Sequence, residues 1–258
     1  MNDEYEDSLP PQTPSQKEVD AFVASARFSD AAAVTAFLGK YAAFIDQKSS
    51  SGHTALSKAG AKGQKEMVEL LLKKGAHIEE PGDNRKTALL WAAHNGHTET
   101  VRVLLENKAD ISAGYNDGIT SLIIAAWGGH TKVVELLLGK GAQVDAACKT
   151  GMTPLILAAG FGKTDTVRFL LEKGASIDKI NNAGQTALMM ARQGRNAETI
   201  ALLEQWPEQQ RRRKEKELEL KKQAEELAES RAREQAAARL EKLKSLHPQK
   251  SPFKKNQP

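Results

Sequence analysis

Aromatic residues make up only 5% of this chain, it has a single cysteine, and no apolar run approaches the roughly 18 residues of a membrane-crossing helix. Each scarcity excludes something. One thiol, Cys148, cannot form an intramolecular disulfide, so a disulfide-stapled secreted fold is out and a reducing compartment is expected. Few large rings leave a core of small aliphatic side chains. The opening residues, Met1-Asn2-Asp3-Glu4-Tyr5-Glu6, are acidic where a secretory or transit segment would be basic, and the expected location is cytoplasmic and/or nuclear, with no membrane association. Also missing is any linear Ser/His/Asp or paired-carboxylate pattern, so the expectation is a protein that is not an enzyme and uses no cofactor.

What is present is repetition. Thr54-Ala55-Leu56, Thr87-Ala88-Leu89, Thr120-Ser121-Leu122, Thr153-Pro154-Leu155 and Thr186-Ala187-Leu188 follow one another at a step of about 33 residues. After each of the first four threonines come a small-residue pair (Ala59-Gly60, Ala92-Ala93, Ala125-Ala126, Ala158-Ala159), a glycine (Gly63, Gly96, Gly129, Gly162) and a leucine pair (Leu71-Leu72, Leu104-Leu105, Leu137-Leu138, Leu170-Leu171). The threonines predict helix N-caps, and Pro154 suits a first helical position because its missing N–H has no partner there anyway. Small pairs predict close helix contact, and Val68, Val101, Val134, Val167 and Ile200 predict the stripe buried against the next unit. Upstream, Val19, Phe22, Val23 and Ala26, then Asp30 with Val34, Phe37 and Leu38, predict an irregular first helix pair.

On these residues the chain resembles the ankyrin repeat family, most closely in Gly151-Met152-Thr153-Pro154-Leu155 with Ala158-Ala159 and Gly174-Ala175, and in Gly96-His97 and Gly129-His130. The resemblance covers about residues 16–206 and implies an all-α solenoid of about six helix-turn-helix repeats with β-turn or hairpin loops. Its expected repeats are 16–48, 49–81, 82–114, 115–147, 148–180 and 181–206. The family's usual histidine is replaced by Ser57, Leu90, Ile123, Ile156 and Met189, which implies a more apolar contact between first helices. Arg85 and Lys108 stand where other units have glycine, so strained turns are expected in the third unit. Arg192 and Arg195 suit a capping unit.

The resemblance also implies protein partners bound along a concave strip of turn tips and short helices. Carried over by residue, that strip holds His53, Asn84, Lys86, His94, Asn95, Tyr115, Asn116, Asp117, Ile119, Trp127, Lys149, Met152, Phe161 and Gln185. Tyr115, Ile119, Trp127, Met152 and Phe161 form its aromatic and apolar middle, a composition typical of interface centres. The competing role for Trp127 and Phe161 is packing across repeats, and Trp91 is assigned to the core between repeats.

Outside the repeats, residues 1–15 are acidic and proline-rich, predicting a disordered arm in which Thr13-Pro14 is an ordinary proline-directed pair. Trp206 is expected to close the last repeat helix and Pro207 to reset the chain. Residues 207–247 then predict a separate charged helix, since Glu208 to Leu246 contains no glycine or proline. The pairs Glu208–Arg212, Glu217–Lys221 and Glu229–Arg233 have stabilising spacing. An apolar seam through Leu220, Ala224 and Leu227 runs into Arg231 and Glu234, so no sustained coiled coil is expected and the chain is read as monomeric, with Leu240, Leu243 and Leu246 left to dock on a partner. Residues 208–258 hold an excess of about six positive charges. Arg211, Arg212, Arg213, Lys214, Lys221 and Lys222 are therefore the candidates for a second reading, nucleic-acid or acidic-surface binding. Residues 248–258 predict a disordered tail.

Three other patterns carry little. Gly162-Lys163-Thr164 resembles the end of a phosphate loop, but Leu157 replaces the glycine that such a loop needs. His94 and His97 share a spacing suited to a metal, but Gly96 interrupts the helix and no further ligand accompanies them, so no metal site is expected. Cys148 is read as an ordinary thiol.

Overall fold

The computed structural model describes residues 13–246, the last three by backbone alone. Most of the expected acidic arm and all of the expected 248–258 tail lie outside the described residues. The chain divides into two units, with the boundary between Glu204 and Gln205.

In the first unit, helices come in pairs: α1 (Gln16–Arg27) with α2 (Ala31–Tyr41), α3 (Ala55–Lys62) with α4 (Lys65–Lys73), and α5 (Ala88–His94) with α6 (Thr98–Glu106). A two-residue hairpin of β1 (Gly114–Tyr115) and β2 (Ile119–Thr120) precedes α7 (Ser121–Gly128) and α8 (Thr131–Gly139). Then follow α9 (Pro154–Gly160) with α10 (Thr164–Glu172), α11 (Ala187–Gln193), and α12 (Ala197–Leu246). The first helices stack in the order α1, α3, α5, α7, α9, α11, and α4, α6, α8 and α10 form a second layer. This is an all-α repeat array, with strand among the described residues only in the loops.

The local causes are those the residue types dictate. Thr54, Thr87, Thr120, Thr153 and Thr186 each accept a hydrogen bond from the backbone N–H three residues on, at 3.0, 3.4, 3.4, 3.2 and 3.3 Å. Each such cap stabilises its helix by about 1 kcal/mol. Asp30 caps α2 through Ala33 N–H at 2.9 Å, and Ser15 and Glu18 cap α1 reciprocally. The small residues of the first helices, Ala92, Ala125, Ala126, Ala158 and Ala159, are completely buried, as are Val68, Val101, Val134, Val167, Leu71, Leu104, Leu137 and Leu170 in the second layer. Ile200 is only half-buried, since no further repeat covers it.

Neighbouring repeats are tied by side chains at one register position, the residue after the inter-helix glycine or, in the last unit, after Arg195. Gln64 donates to the Arg27 carbonyl at 3.2 Å, His97 Nε2 lies 3.2 Å from the Ala61 carbonyl, and His130 Nε2 lies 2.9 Å from the His94 carbonyl. Asn196 donates to the Ala159 and Gly160 carbonyls, both at 2.9 Å. Loops are tied in parallel: His77 N–H to Asp46 at 3.1 Å, Asp110 N–H to Glu79 at 2.8 Å and Ser176 N–H to Asp145 at 3.1 Å.

Several expectations need correction. Helix α12 does not stop at Trp206: it spans Ala197–Leu246, 50 residues with Pro207 inside it. The proline removes one N–H, at a cost of about 3 kcal/mol, but strong helix formers on its C-terminal side continue the ladder. The family histidine's substitutes are not uniformly apolar in effect. Leu90, Ile123 and Ile156 are buried, but Ser57 Oγ accepts from Thr54 N–H at 3.0 Å, and Met189 is 52% exposed. The third unit holds Arg85 at φ 60° and Lys108 at φ 68° as expected, joined by Asn84 at φ 53°, but the strain is not confined to it: Ser29, Asn116 and Arg195, in the first, fourth and sixth units, are at φ 58°, 46° and 56°.

Along α12 the Glu208–Arg212 and Glu229–Arg233 pairs form at 2.9 and 3.4 Å. Glu208 also bonds Arg211, and these two arginines hold its carboxyl below the usual carboxylate range. Lys221 pairs with Glu225 at 4.0 Å in place of Glu217. Leu218, Leu220, Leu227, Leu240 and Leu243 are each more than half exposed. Among the described residues no helix is long and apolar enough to cross a membrane.

Candidate functional site

The C-terminal ends of the first helices carry side chains at one repeated position, so stepping by one repeat from Trp127 reaches His94, Ala61 and Phe28. Two members of that register, His94 and Trp127, join rings from other positions, His53, Trp91 and Phe161, in a line across the array. His53 and Trp91 have centroids 5.4 Å apart, Trp91 and His94 5.8 Å, His94 and Trp127 5.6 Å, and Trp127 and Phe161 5.6 Å with planes at 78°. Offset and edge-on contacts of this kind are the favoured arrangements of aromatic pairs.

The line changes character along its length. His53 is buried, Trp91 and His94 are half-buried, Trp127 is 37% exposed and Phe161 is 53% exposed. Trp127 and Phe161 therefore do both things expected of them: they pack across repeats, and they leave apolar surface open. Trp91 departs from its expected place in the core. It stands within the line, with the Lys86 ammonium 4.5 Å from its ring centroid and 4.7 Å from that of Tyr115.

Lys86 is thus enclosed by two rings and only 8% exposed, so this residue and His53 are not surface members of the strip. Burial holds the Lys86 ammonium below its ordinary pKa and raises that of the half-buried Tyr115 phenol. Asn84, Asn95, Asn116, Asp117 and Lys149 are exposed, and Ile119, Met152 and Gln185 are half-buried. Asn182 donates to the Lys149 carbonyl at 2.8 Å, and Asn181 donates to Gln185 Oε1 at 3.0 Å and lies 3.6 Å from Met152 Sδ, so these loop tips are braced. Met189, 52% exposed on α11, adds apolar surface that sequence reasoning assigned only to helix contact.

Between the exposed rings lies a hollow of about 260 Å³ lined by His94, Trp127, Gly128, Phe161 and Lys163. Nearby, Trp91 Nε1 and His94 Nδ1 are buried with no hydrogen-bond partner among the described residues. Lys163 was not among the strip residues drawn from the sequence, where it stood out only as part of the incomplete phosphate-loop pattern. Its register signal was available, because it occupies the position of Gln64, His97, His130 and Asn196.

Burial chiefly, then the positive charges of Lys86 and His130, depresses the His94 pKa. His53 is depressed by burial and by Lys58, with Asp83 opposing. A base whose folded pKa lies below its unfolded value binds fewer protons folded than unfolded, so stability is full above the unfolded value near 6.5 and falls as pH drops through the folded one. The unfolding midpoint of the protein is expected to fall between about pH 8 and about pH 5.5, and His94→Gln is expected to reduce that fall. Thermal melts across this range check it, and an unchanged pH slope in the variant refutes it.

The six tail candidates lie on α12, and Arg211, Arg212 and Lys221 are engaged by the glutamates already described. The buried Cys148 thiol lies 3.0 Å from the Thr150 hydroxyl. Among the described residues no group of three or more His, Cys, Asp or Glu side chains is placed to hold a metal.

Comparison with known proteins adds two findings. A family profile described as "Ankyrin repeats (3 copies)" matches residues 78–148 and 122–210, and one described as "Ankyrin repeat" matches residues 51–83. No curated protein matches the chain.

Proposed function

Since the chain belongs to the ankyrin repeat family, whose repeats serve protein–protein interaction, we propose that it is a non-enzymatic scaffold or adaptor holding a partner protein on the exposed face of its first-helix layer. A regulatory or inhibitory subunit would use the same face in the same way. The observation that carries this reading is the touching, exposed ring pair of Trp127 and Phe161, 37% and 53% exposed with centroids 5.6 Å apart, in a chain with only 5% aromatic residues; Met189, 52% exposed, adds apolar surface on α11. A contiguous apolar patch on rigid elements marks a contact surface, and large rings supply most of the binding free energy at such surfaces.

The nucleic-acid reading of the tail is weaker. Its arginines are partly neutralised by glutamates one turn away, which lowers the field a phosphate backbone would meet.

The test is affinity capture with the full chain, with a chain ending at Trp206, and with the double variant Trp127→Ala, Phe161→Ala. Partners assigned to the repeats are expected to survive the truncation and to be lost by the double variant, whose unfolding midpoint falls because Trp127 also packs on His94, so capture is compared at a temperature where both chains are folded. Retention of every partner by the double variant refutes the reading.

A further inference from the structure

The fifth repeat breaks the rule by which its neighbours are locked. Gln64, His97, His130 and Asn196 each reach a carbonyl of the preceding repeat. Lys163 stands at the same register, and its side chain makes no hydrogen bond or ion pair among the described residues. Its side chain passes so close to Gly129 that a Cβ there would lie 2.7 Å from Lys163 Cδ, and Lys163 lines the hollow together with Trp127 and Phe161. Asp165 and Glu198 line the space on its other side without pairing with it. In place of a lateral lock this register carries a lysine side chain without an ion pair among the described residues, lining the hollow of the exposed rings.

The same combination recurs at the other end of the layer. Phe28, 71% exposed, has the Arg27 guanidinium 5.2 Å from its ring centroid, and both line a hollow of about 200 Å³ with Lys58. Asp20 lines it too, but its carboxylate is held by Ser50 N–H at 2.6 Å and Gln16 at 3.0 Å. Arg27, Lys58 and Lys62 have no carboxylate partner among the described residues. Lys58 is held below its ordinary pKa by burial and by the positive charges of Arg27 and Lys62, with only Asp83 acting the other way. Three cations against the carboxylates of Asp20 and Asp83, beside the exposed Phe28 ring, leave an excess of positive charge that complements an anionic ligand also carrying apolar side chains.

We infer that this face takes an extended peptide of a partner protein in which carboxylates alternate with bulky apolar residues, Trp127 and Phe161 flanking an apolar side chain and Lys163 meeting a neighbouring carboxylate. The inference rests on the groove reading above and specifies the partner's chemistry. Arg27, Lys58 and Lys62 extend the same preference toward the first repeat. A carboxylate source is favoured over a phosphate backbone because a uniform polyanion has no apolar side chain for the ring-lined hollows.

The experiment uses the full chain and fluorescein-labelled peptides that alternate Glu with Leu and Phe, in either chain direction, against the same peptides with Gln for Glu. Anisotropy is expected to show binding of the Glu peptide at least tenfold tighter than the Gln peptide at low salt, with the difference shrinking as salt is raised. Lys163→Asn, which supplies a lateral donor of the kind seen at Asn196, is expected to lower Glu-peptide affinity by about tenfold, leave the Gln peptide unchanged and raise the unfolding midpoint. Arg27→Gln with Lys58→Gln is expected to lower Glu-peptide affinity by a similar factor.

Equal affinity for the two peptides overturns the inference, as does no binding of the Glu peptide at about millimolar concentration. An unchanged Glu-to-Gln ratio in Lys163→Asn also overturns it, and so does tighter binding of an RNA oligonucleotide that depends on Lys163. The two readings fail separately. If the double ring variant loses its partners while the peptides show no charge preference, the groove stands and the acidic preference falls; if the double ring variant keeps every partner, the groove itself falls.

Discussion

Leu137→Ala is expected to destabilise the repeat array by about 3 to 5 kcal/mol. Leu137 lies on α8 in the centre of the second layer, is completely buried, and has α6 and α10 on either side. Truncation removes apolar surface from water and also leaves a void that rigid helices on both sides cannot collapse to fill. Because a repeat array is stabilised largely by interfaces between neighbours, loss at a central unit weakens two interfaces at once. Urea denaturation should show an earlier midpoint, and the transition should broaden or split as the two halves uncouple. A sharp transition displaced by less than about 1 kcal/mol refutes this account of where the stability resides.

Gly151→Ala is expected to be nearly as damaging, for a reason that one matched control isolates. Gly151 has φ 77°, and a Cβ built there would lie 2.6 Å from Asn182 Oδ1, 2.8 Å from Asn182 N and 2.9 Å from Asn181 Cα. Two of these are backbone atoms of the next loop, which is fastened by the Asn182 N–H bond to the Thr150 carbonyl at 3.0 Å. Gly184 has nearly the same backbone, φ 74°, with nothing within 4 Å of its Cβ position. Gly184→Ala should therefore cost only the left-handed strain, about 1 kcal/mol, while Gly151→Ala should cost about 2 to 4 kcal/mol. Equal losses in the two variants would mean that the loop yields freely and that close approach of the fifth and sixth units matters little.

These two sites mark how far the sequence could be read. Capping threonines, buried alanine pairs and the second-layer valines were legible because each acts within its own repeat, and spacing alone reveals it. Even the strained backbone of Arg85 and Lys108 was legible, since register showed glycine at those places in other units. Pro207 was misjudged because an isolated proline reads as a boundary, whereas continuous strong helix formers beyond it sustain the helix.

Of the candidate face, exposure at Trp127 and Phe161 was anticipated, but the line of rings from His53 to Phe161 was not. Its members come from different positions within their repeats and meet only when the repeats are stacked. Lys86 looked like a surface cation because lysine usually is one; the two rings that enclose it, Trp91 and Tyr115, follow it by five residues and by most of a repeat. Lys163 was overlooked because its deviation is an absence, a lateral bond not made, and an absence shows only beside Gln64, His97, His130 and Asn196 making theirs.

Those lateral bonds also bear on how quickly the array assembles. Each joins residues 36 or 37 positions apart, whichever repeat it serves. The loop that must close to form any of them is therefore of one modest length, and the entropy of closure does not grow as repeats are added. Folding can start wherever two adjacent units first meet and spread outward one unit at a time. The junction around Lys163, lacking its bond, is where that spreading should pause.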